Sequence, residues 1–173
     1  MKSEKIRIEE ATAKLFLNLY NARFSTNFVV DYLGDTPDVV CIDRANNNVL
    51  NLEISLIEDL PGDVKYVLGR GSKPTSPTTG TTAVSFTDDV VEQLRKSLEK
   101  KLLSSYGANT ALVLRQVSPL WEPREWSTVA DEFKVKVFAG SENNFGAGVW
   151  IICTDNSIRP ASDTLFCLSS PVE

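Results

Sequence analysis

The spacing of hydrophobic and polar residues changes several times along the chain, and each change predicts a different element. Residues 4–23 carry apolar side chains at helical spacing on two opposite arcs, with Ile6, Ala13, Leu17 and Tyr20 on one arc and Ile8, Ala11, Leu15 and Leu19 on the other. A helix that is apolar on two sides is expected to pack on both. The same spacing predicts a second helix over 88–106, with Thr87 as its N-cap and Gly107 at its end, and a weaker helix over 122–133.

Short runs of apolar and β-branched residues predict the strands of a sheet. These runs cover 27–33, 38–43, 48–55, 111–116, 135–138, 149–153 and 164–168. The runs 38–43 and 48–55 flank a turn-forming stretch from Arg44 to Asn48, which indicates a β-hairpin. Helices that flank a mixed sheet predict an α/β sandwich, and without repeats or a second core, residues 1–173 are expected to form a single domain.

Between residues 60 and 87 the periodicity is lost. The stretch GRGSKPTSPTTGTT is rich in glycine, serine, threonine and proline, and the segment carries the basic residues Lys65, Arg70 and Lys73. A loop of this length without secondary structure of its own is uncommon in a compact domain. We therefore expect a long flexible loop with a functional role.

The composition narrows the chemistry that the chain can perform. It contains no histidine, which excludes histidine bases and histidine–metal clusters. A bound metal must then be held by oxygen ligands, which favours Mg²⁺ or Mn²⁺. The net charge of −5, from 18 basic and 23 acidic residues, does not indicate a nucleic-acid binder, so any binding of nucleic acid must rely on a local basic patch.

Three features of the sequence bear on the location of the protein. No apolar run reaches the roughly 18–20 residues that a membrane span needs. The N-terminal sequence MKSEKIRIEE is too charged for a secretory signal. Cys41, Cys153 and Cys167 have no CxxC spacing and are expected to be reduced and mostly buried. Together these features predict a cytoplasmic protein that makes no contact with a membrane.

Two acidic residues occupy unusual places in the predicted hairpin. Asp38 opens its first strand, and Glu53 lies inside its second strand, between Leu52 and Ile54. Residues two apart on a strand share a face, so Glu53 can belong simply to a solvated polar face. The hairpin, however, also places Asp38 and Glu53 near one end of one face. Two like charges there are costly unless a cation lies between them.

The arrangement of these residues resembles the signature of a nuclease superfamily. A Pro-Asp pair at a strand start, Pro37-Asp38, is followed in the next strand of the hairpin by the triplet Glu53-Ile54-Ser55. This pattern is similar to that of the PD-(D/E)xK nucleases, which have the restriction-endonuclease-like fold, and the order of elements agrees over most of the chain. The resemblance implies Mg²⁺-dependent hydrolysis of DNA, with Asp38, Glu53 and the backbone carbonyl of Ile54 as metal ligands. The chain departs from the signature at Ser55, where the superfamily has a lysine.

The resemblance implies two further site residues on the helices. Glu10 corresponds to an acid that the superfamily often carries on its first helix. Lys101 lies inside the apolar arc of the predicted second helix, and in several branches of the superfamily the catalytic lysine has moved to this helix. There it would orient the attacking water or stabilise the transition state. From the residues alone, Lys101 could equally be a structural ion-pair partner or a lysine that reaches solvent from the end of an apolar face.

The sequence leaves two functions open. The first is a metal-dependent nuclease acting on DNA, with Lys65, Arg70 and Lys73 as nucleic-acid contacts. Since many relatives cut duplexes as dimers, this function includes a homodimer as an expectation. The second is a catalytically inactive module that keeps the nuclease-like fold and binds a protein or a nucleic acid. The acidic charge and the missing strand lysine favour the second function, whereas the two acids and the inward-facing lysine favour the first.

Overall fold

The described part of the protein is built from a long helix, a six-stranded sheet and short helical stretches. The computed structural model describes residues 4–57, 94–96, 98, 101, 103–104, 106–116, 126–127, 130, 144–155 and 162–170. Helix α1 spans Glu4–Phe24, and the strands are β1 (Phe28–Leu33), β2 (Val39–Asp43), β3 (Asn48–Ile57), β4 (Thr110–Gln116), β5 (Val149–Asp155) and β6 (Ser162–Ser169). Residues 94–96, 98 and 101, named here the second helical segment, are helical, as are residues 126, 127 and 130.

The strands lie in the sheet in their order along the chain. β1 is antiparallel to β2 and β2 is antiparallel to β3, so these three strands form a meander. β3, β4 and β5 are parallel neighbours, and β6 lies at the other edge of the sheet, antiparallel to β5. The carboxyl ends of β3, β4 and β5 therefore point to the same end of the sheet, which is the end where β2 begins.

Each face of the sheet carries its own hydrophobic cluster. Along β4, Ala111 and Val113 pack on the α1 face, and Leu112 and Leu114 pack on the opposite face, as the alternation of a strand requires. The α1 face is covered by the buried side chains Ala13, Phe16 and Leu17. The opposite face is covered by Leu94 and Leu98 of the second helical segment and by Trp126 and Ala130. Helical residues thus cover both faces of a mixed sheet.

Hydrophobic spacing predicted most of the described elements correctly, with one exception at the end of the second predicted helix. That helix was expected to continue to residue 106, but the described residues 103, 104 and 106 are not helical. The helix predicted over 4–23 is α1, and the predicted hairpin is formed by β2 and β3, with Asp38 one residue before β2. The other confirmed strands are β1, β4, β5 and β6, with ends shifted by one or two residues. The α/β class is therefore confirmed. The predicted loop over 60–87 and the predicted strand over 135–138 lie outside the described residues.

The cysteines and the helices add two observations. Cys41 and Cys153 are buried, Cys167 is half-buried, and all three are free thiols. Burial raises the pKa of the Cys41 thiol to about 12, so at neutral pH it stays protonated and is not a nucleophile.

None of the helices in the described part of the chain is long and apolar enough to cross a membrane.

Candidate active site

Asp38 lies where β2 begins, and its carboxylate is bonded to β3. Continuing the β2–β3 register beyond its last pair places Asp38 opposite Glu53 and Pro37 opposite Ile54. Pro37 has no N–H to offer the Ile54 carbonyl. The Ile54 N–H donates instead to Asp38 Oδ2 at 2.8 Å. Asp38 is 5% exposed, so the end of the backbone ladder is occupied by a buried carboxylate.

The backbone carbonyl of Ile54 lies on the same side of β3. The N–H and the C=O of a strand residue point to the same neighbouring strand, so the carbonyl is directed toward Asp38, as the N–H is. Pro37 cannot donate a hydrogen bond to it. A carboxylate and a carbonyl oxygen side by side are suitable ligands for a hard divalent cation.

Glu53 lies on the face of β3 that is turned away from α1, because Leu52 and Ile54 on either side of it pack in the α1-face cluster. Lys101 Nζ donates to Glu53 Oε1 at 2.8 Å. The other oxygen, Glu53 Oε2, is buried and has no hydrogen-bond partner in the part of the chain that the structure describes. Leaving a buried acceptor unsatisfied costs about 1–3 kcal/mol, and more for a charged group. A cation bound at Oε2 would remove that penalty, so this oxygen fits a metal ligand.

Lys101 reaches Glu53 from the second helical segment. Leu98, three residues earlier on the same side of the helix, is buried against the sheet, and this packing directs Lys101 toward β3. The Lys101 side chain is 24% exposed, so its ammonium contacts the carboxylate and can also be reached from solvent. Ser55 shares the face of Glu53 but carries no charge. The structure therefore places Lys101, from the second helical segment, against Glu53, whose own strand has a serine and not a lysine at position 55.

The acid that α1 brings to this cluster is Glu9, and not the predicted Glu10. Lys5 Nζ lies 3.2 Å from Glu9 Oε1 and 3.8 Å from Asp38 Oδ1. Burial and the charge of Asp38 raise the pKa of Glu9, against an opposing effect of Lys5. The hydrogen bond and the charge of Glu9 in turn raise the pKa of Lys5. Glu9 therefore keeps its proton to a higher pH than an exposed glutamate does.

Glu10 has a different local partner. Lys14 Nζ donates to Glu10 Oε1 at 2.8 Å, one helical turn further along the exposed side of α1. Glu10 was predicted because the resemblance implies an acid on the first helix and Glu10 lies on the arc of Ile6, Ala13, Leu17 and Tyr20. The residues that α1 buries are Glu9, Thr12, Ala13, Phe16 and Leu17. Their i, i+3, i+4, i+7 spacing is that of one buried helix face and was the signal available in the sequence. It was missed because two of these residues, Glu9 and Thr12, are polar.

The name acid–lysine cluster is given to two groups of charged side chains: Asp38 is joined to Lys5 and Glu9 of α1, and Glu53 pairs with Lys101 on the face of β3 turned away from α1. The β2–β3 register, continued to Asp38 opposite Glu53, puts both groups at the same end of the hairpin. With every group ionised, three negative charges and two positive charges leave one net negative charge. Over the described residues, no group of three or more aspartate, glutamate or cysteine side chains converges so as to hold a metal ion. The oxygen donors that remain for a cation are two carboxylates and one backbone carbonyl, which is the set that the sequence predicts.

The predicted nucleic-acid contacts Lys65, Arg70 and Lys73 lie outside the described residues. Lys5 and Glu9 were not predicted from the sequence, and both belong to the first turns of α1. The chain gives no match to protein-family models, to curated proteins or to solved structures. Its function has to be inferred from the acid–lysine cluster itself.

Proposed function

We propose that this chain is a divalent-metal-dependent nuclease of the PD-(D/E)xK type, with a restriction-endonuclease-like fold, and that it hydrolyses phosphodiester bonds of DNA. The observation that carries the proposal is the 2.8 Å contact between Lys101 and one oxygen of Glu53, while the other oxygen is buried and has no partner among the described residues. A purely structural ion pair would be expected to satisfy both carboxylate oxygens.

Asp38, Glu53 and the Ile54 carbonyl are the residues that would hold Mg²⁺ or Mn²⁺. All three donors are oxygens, as these metals prefer. Asp38 Oδ2 is engaged by the Ile54 N–H, which fixes the orientation of the carboxylate and leaves Oδ1 as the outward ligand. When bound, the metal would lower the pKa of a water and offset the charge of the phosphate.

Lys101 supplies the positive charge that the superfamily takes from the strand. Its ammonium has three N–H donors, one of which binds Glu53. The other two donors have no acceptor among the described residues, and they would hold the attacking water or contact a phosphate oxygen as negative charge develops on it. A donor fixed in this way contributes most in the transition state, where a loss of about 10²–10³-fold in rate follows its removal.

Glu9 and Lys5 adjust the charge at the outer side of the site. Lys5 lies between Glu9 and Asp38, and its side chain is 67% exposed. It is therefore placed where an approaching polyanion would first meet the carboxylates. Lys5 offsets part of the negative charge of these two acids, which reduces the repulsion between the site and a phosphodiester.

The second function, an inactive module with a nuclease-like fold, is favoured by the net charge of −5 and by the serine at position 55. The two functions differ in what Lys101 does. In a module without activity, the Lys101–Glu53 pair would only support the fold, and replacing Lys101 would lower stability without a loss of any cleavage.

The test is the nicking of supercoiled plasmid by purified protein in Mg²⁺ or Mn²⁺, with chelator as the blank. The wild type is expected to nick DNA, Glu53→Ala to be inactive, and Lys101→Ala to lose about 10²–10³-fold in rate. Lys96→Ala is the matched control, because Lys96 belongs to the same helical segment but is exposed. Equal nicking by wild type and Glu53→Ala would indicate a contaminant, and no nicking by any form would favour the binding module.

A further inference from the structure

Arg115 is a half-buried arginine that has a single partner among the described residues. It is the second-last residue of β4, and its side chain lies on the α1 face, which it shares with Ala111 and Val113. Arg115 Nη1 donates to Thr12 Oγ1 at 3.2 Å. Thr12 is fully buried on α1. The guanidinium is thus held in place by a hydroxyl and not by a carboxylate.

The charge of Arg115 is not neutralised by the parts of the chain that the structure describes. No aspartate or glutamate there lies within ion-pair distance of it. A guanidinium has five N–H donors, and one of them has a protein acceptor. A partly desolvated cation of this kind is unfavourable on its own. It becomes favourable when an anion with paired oxygens binds to it.

Arg115 lies close to the acid–lysine cluster without belonging to it. Thr12 follows Glu9 by three residues, so the guanidinium sits about one helical turn along α1 from that cluster. Across the sheet, β4 and β2 are separated by β3, a distance of about 10 Å. That separation is too large for Arg115 to contact the phosphate that reacts at Asp38. It suits a neighbouring phosphate of the same strand.

We propose that Arg115, oriented by Thr12, is a binding site for a backbone phosphate of the nucleic acid next to the phosphate that is cut. This inference rests on the proposed nuclease function. The planar guanidinium can pair with both non-bridging oxygens of a phosphodiester. In a chain with a net charge of −5, such a local cation is what nucleic-acid affinity requires. Arg115 contributes to binding and positioning, and not to the chemical step.

The test measures the binding of a labelled DNA oligonucleotide to Glu53→Gln protein, which is expected to bind without cutting, over a series of salt concentrations. Arg115→Gln in that background should weaken binding by at least about 5-fold near 0.1 M salt. The slope of log Kobs against log salt should fall in magnitude by about 0.7–0.9, the value for one phosphate contact. Arg44→Gln is the matched control, because Arg44 is exposed in the turn at the other end of the β2–β3 hairpin. It should leave both quantities unchanged.

Two further variants separate charge from geometry. Arg115→Lys should keep the salt slope but recover only part of the affinity, because an ammonium cannot bind two oxygens in one plane. Thr12→Val should also keep the slope and weaken binding about 2- to 5-fold. If Arg115→Gln does not fold, as judged by its circular dichroism, the lysine variant carries the test. In the active protein, Arg115→Lys should raise KM and leave kcat within 2-fold.

The outcomes distinguish this inference from the proposed function. If Glu53→Gln protein binds DNA and the slope is the same with and without Arg115, the inference is wrong while the nuclease stands. Loss of kcat rather than a rise in KM for Arg115→Lys would also overturn it, because that result would place Arg115 in the chemical step. If no variant binds DNA, Arg115 has no phosphate to bind, and the inference falls together with the proposed function.

Discussion

A buried aspartate lies at each end of β2. The partners of one belong to the adjacent turn, and the partners of the other belong to distant parts of the chain. Asp43, at the turn end, is 1% exposed. Its Oδ1 accepts a hydrogen bond from Ala45 N at 3.0 Å, and its Oδ2 accepts one from Asn46 Nδ2 at 3.0 Å. Asp38, at the other end, is bonded to Ile54 N, 16 residues away, and lies 3.8 Å from the ammonium of Lys5 on α1.

The difference shows how a structural acid can be told from a candidate catalytic acid on the same strand. Two donors of the turn, within three residues of Asp43, bind its two carboxylate oxygens. The acid therefore stabilises the turn, and neither oxygen lacks a hydrogen bond. At the Asp38 end, α1, β2, β3 and the second helical segment all contribute charged groups, and Glu53 Oε2 has no hydrogen-bond partner among the described residues. The unpaired oxygen is what makes this end of β2, and not the turn end, the candidate site.

The largest expected effect is on cleavage, and it compares the same substitution at both ends of β2. Asp38→Asn removes a metal ligand and should reduce the plasmid-nicking rate by at least about 10²–10³-fold. Asp43→Asn should leave the rate within about 3-fold of wild type, since the turn lies at the far end of the hairpin. Equal loss of activity in both variants would mean that burial, and not position, makes these acids important.

The second effect is stabilisation by metal, which needs no activity. A ligand that binds only the folded state raises the free energy of unfolding by about 4 kcal/mol at a thousand-fold excess over Kd. Thermal unfolding with and without Mg²⁺ should show such a rise in Tm for the wild type and for Asp43→Asn. Asp38→Asn and Glu53→Gln should show none. A wild-type Tm that does not respond to Mg²⁺ or Mn²⁺ would remove the metal from the proposed function.

A smaller effect is expected on the free energy of unfolding. Here the important acid is Asp43, at the turn end of β2, and not Asp38. Asp43→Ala leaves the Ala45 N–H and the Asn46 amide without their acceptor. Each loss is unfavourable, and we expect a decrease of about 1–3 kcal/mol in the free energy of unfolding from urea titration. The rise in Tm with Mg²⁺ should persist in this variant. If Asp43→Ala unfolds at the same urea concentration as wild type, the turn does not depend on this acid.

Local pattern was sufficient for most of the fold. The meander of β1, β2 and β3 follows from alternation and from the turn after Asp43, and α1 follows from helical spacing. The parallel pairing of β3 with β4 joins residues that are about sixty positions apart, such as Asn51 and Thr110. No local pattern specifies that neighbour, so the sequence predicted a mixed sheet without its strand order.

Apart from Asp38, which was predicted from the Pro37-Asp38 pair at a strand start, the candidate site residues that the sequence identified correctly are those that contradict their own element. Glu53 in a strand and Lys101 in an apolar helical arc both break a local rule, and both belong to the acid–lysine cluster. Glu9 breaks no rule, because α1 has polar residues on both sides of two apolar arcs. Arg115 lies in the predicted strand 111–116 and was given no role, since its partner Thr12 is 103 residues away in the chain. Contacts of this length depend on the packing of α1 on the sheet.

The smallest expected effect concerns the pH dependence of stability, and it contrasts Glu9 with its neighbour Glu10. Burial and the charge of Asp38 raise the pKa of Glu9 in the folded protein. In the unfolded chain Glu9 loses its proton near its ordinary pKa of about 4.3. Between that pH and the raised pKa the folded state binds more protons than the unfolded state, so this residue lowers the free energy of unfolding as the pH rises.

Glu9→Gln replaces the carboxyl group by a neutral side chain of the same shape, and it should therefore gain stability relative to wild type as the pH increases through this window. Urea unfolding of both proteins at several pH values between 4 and 8 measures the difference. It should be smallest at the acid end, and it should stop growing once Glu9 is ionised in the folded state as well. Glu10→Gln is the matched control, because it replaces the neighbouring glutamate, which pairs with Lys14 on the exposed side of α1. The gain in stability with rising pH should be larger for Glu9→Gln than for Glu10→Gln. If the difference in free energy of unfolding between Glu9→Gln and wild type does not change with pH, Glu9 ionises at its ordinary pKa. In that case neither burial nor the charge of Asp38 affects its ionisation.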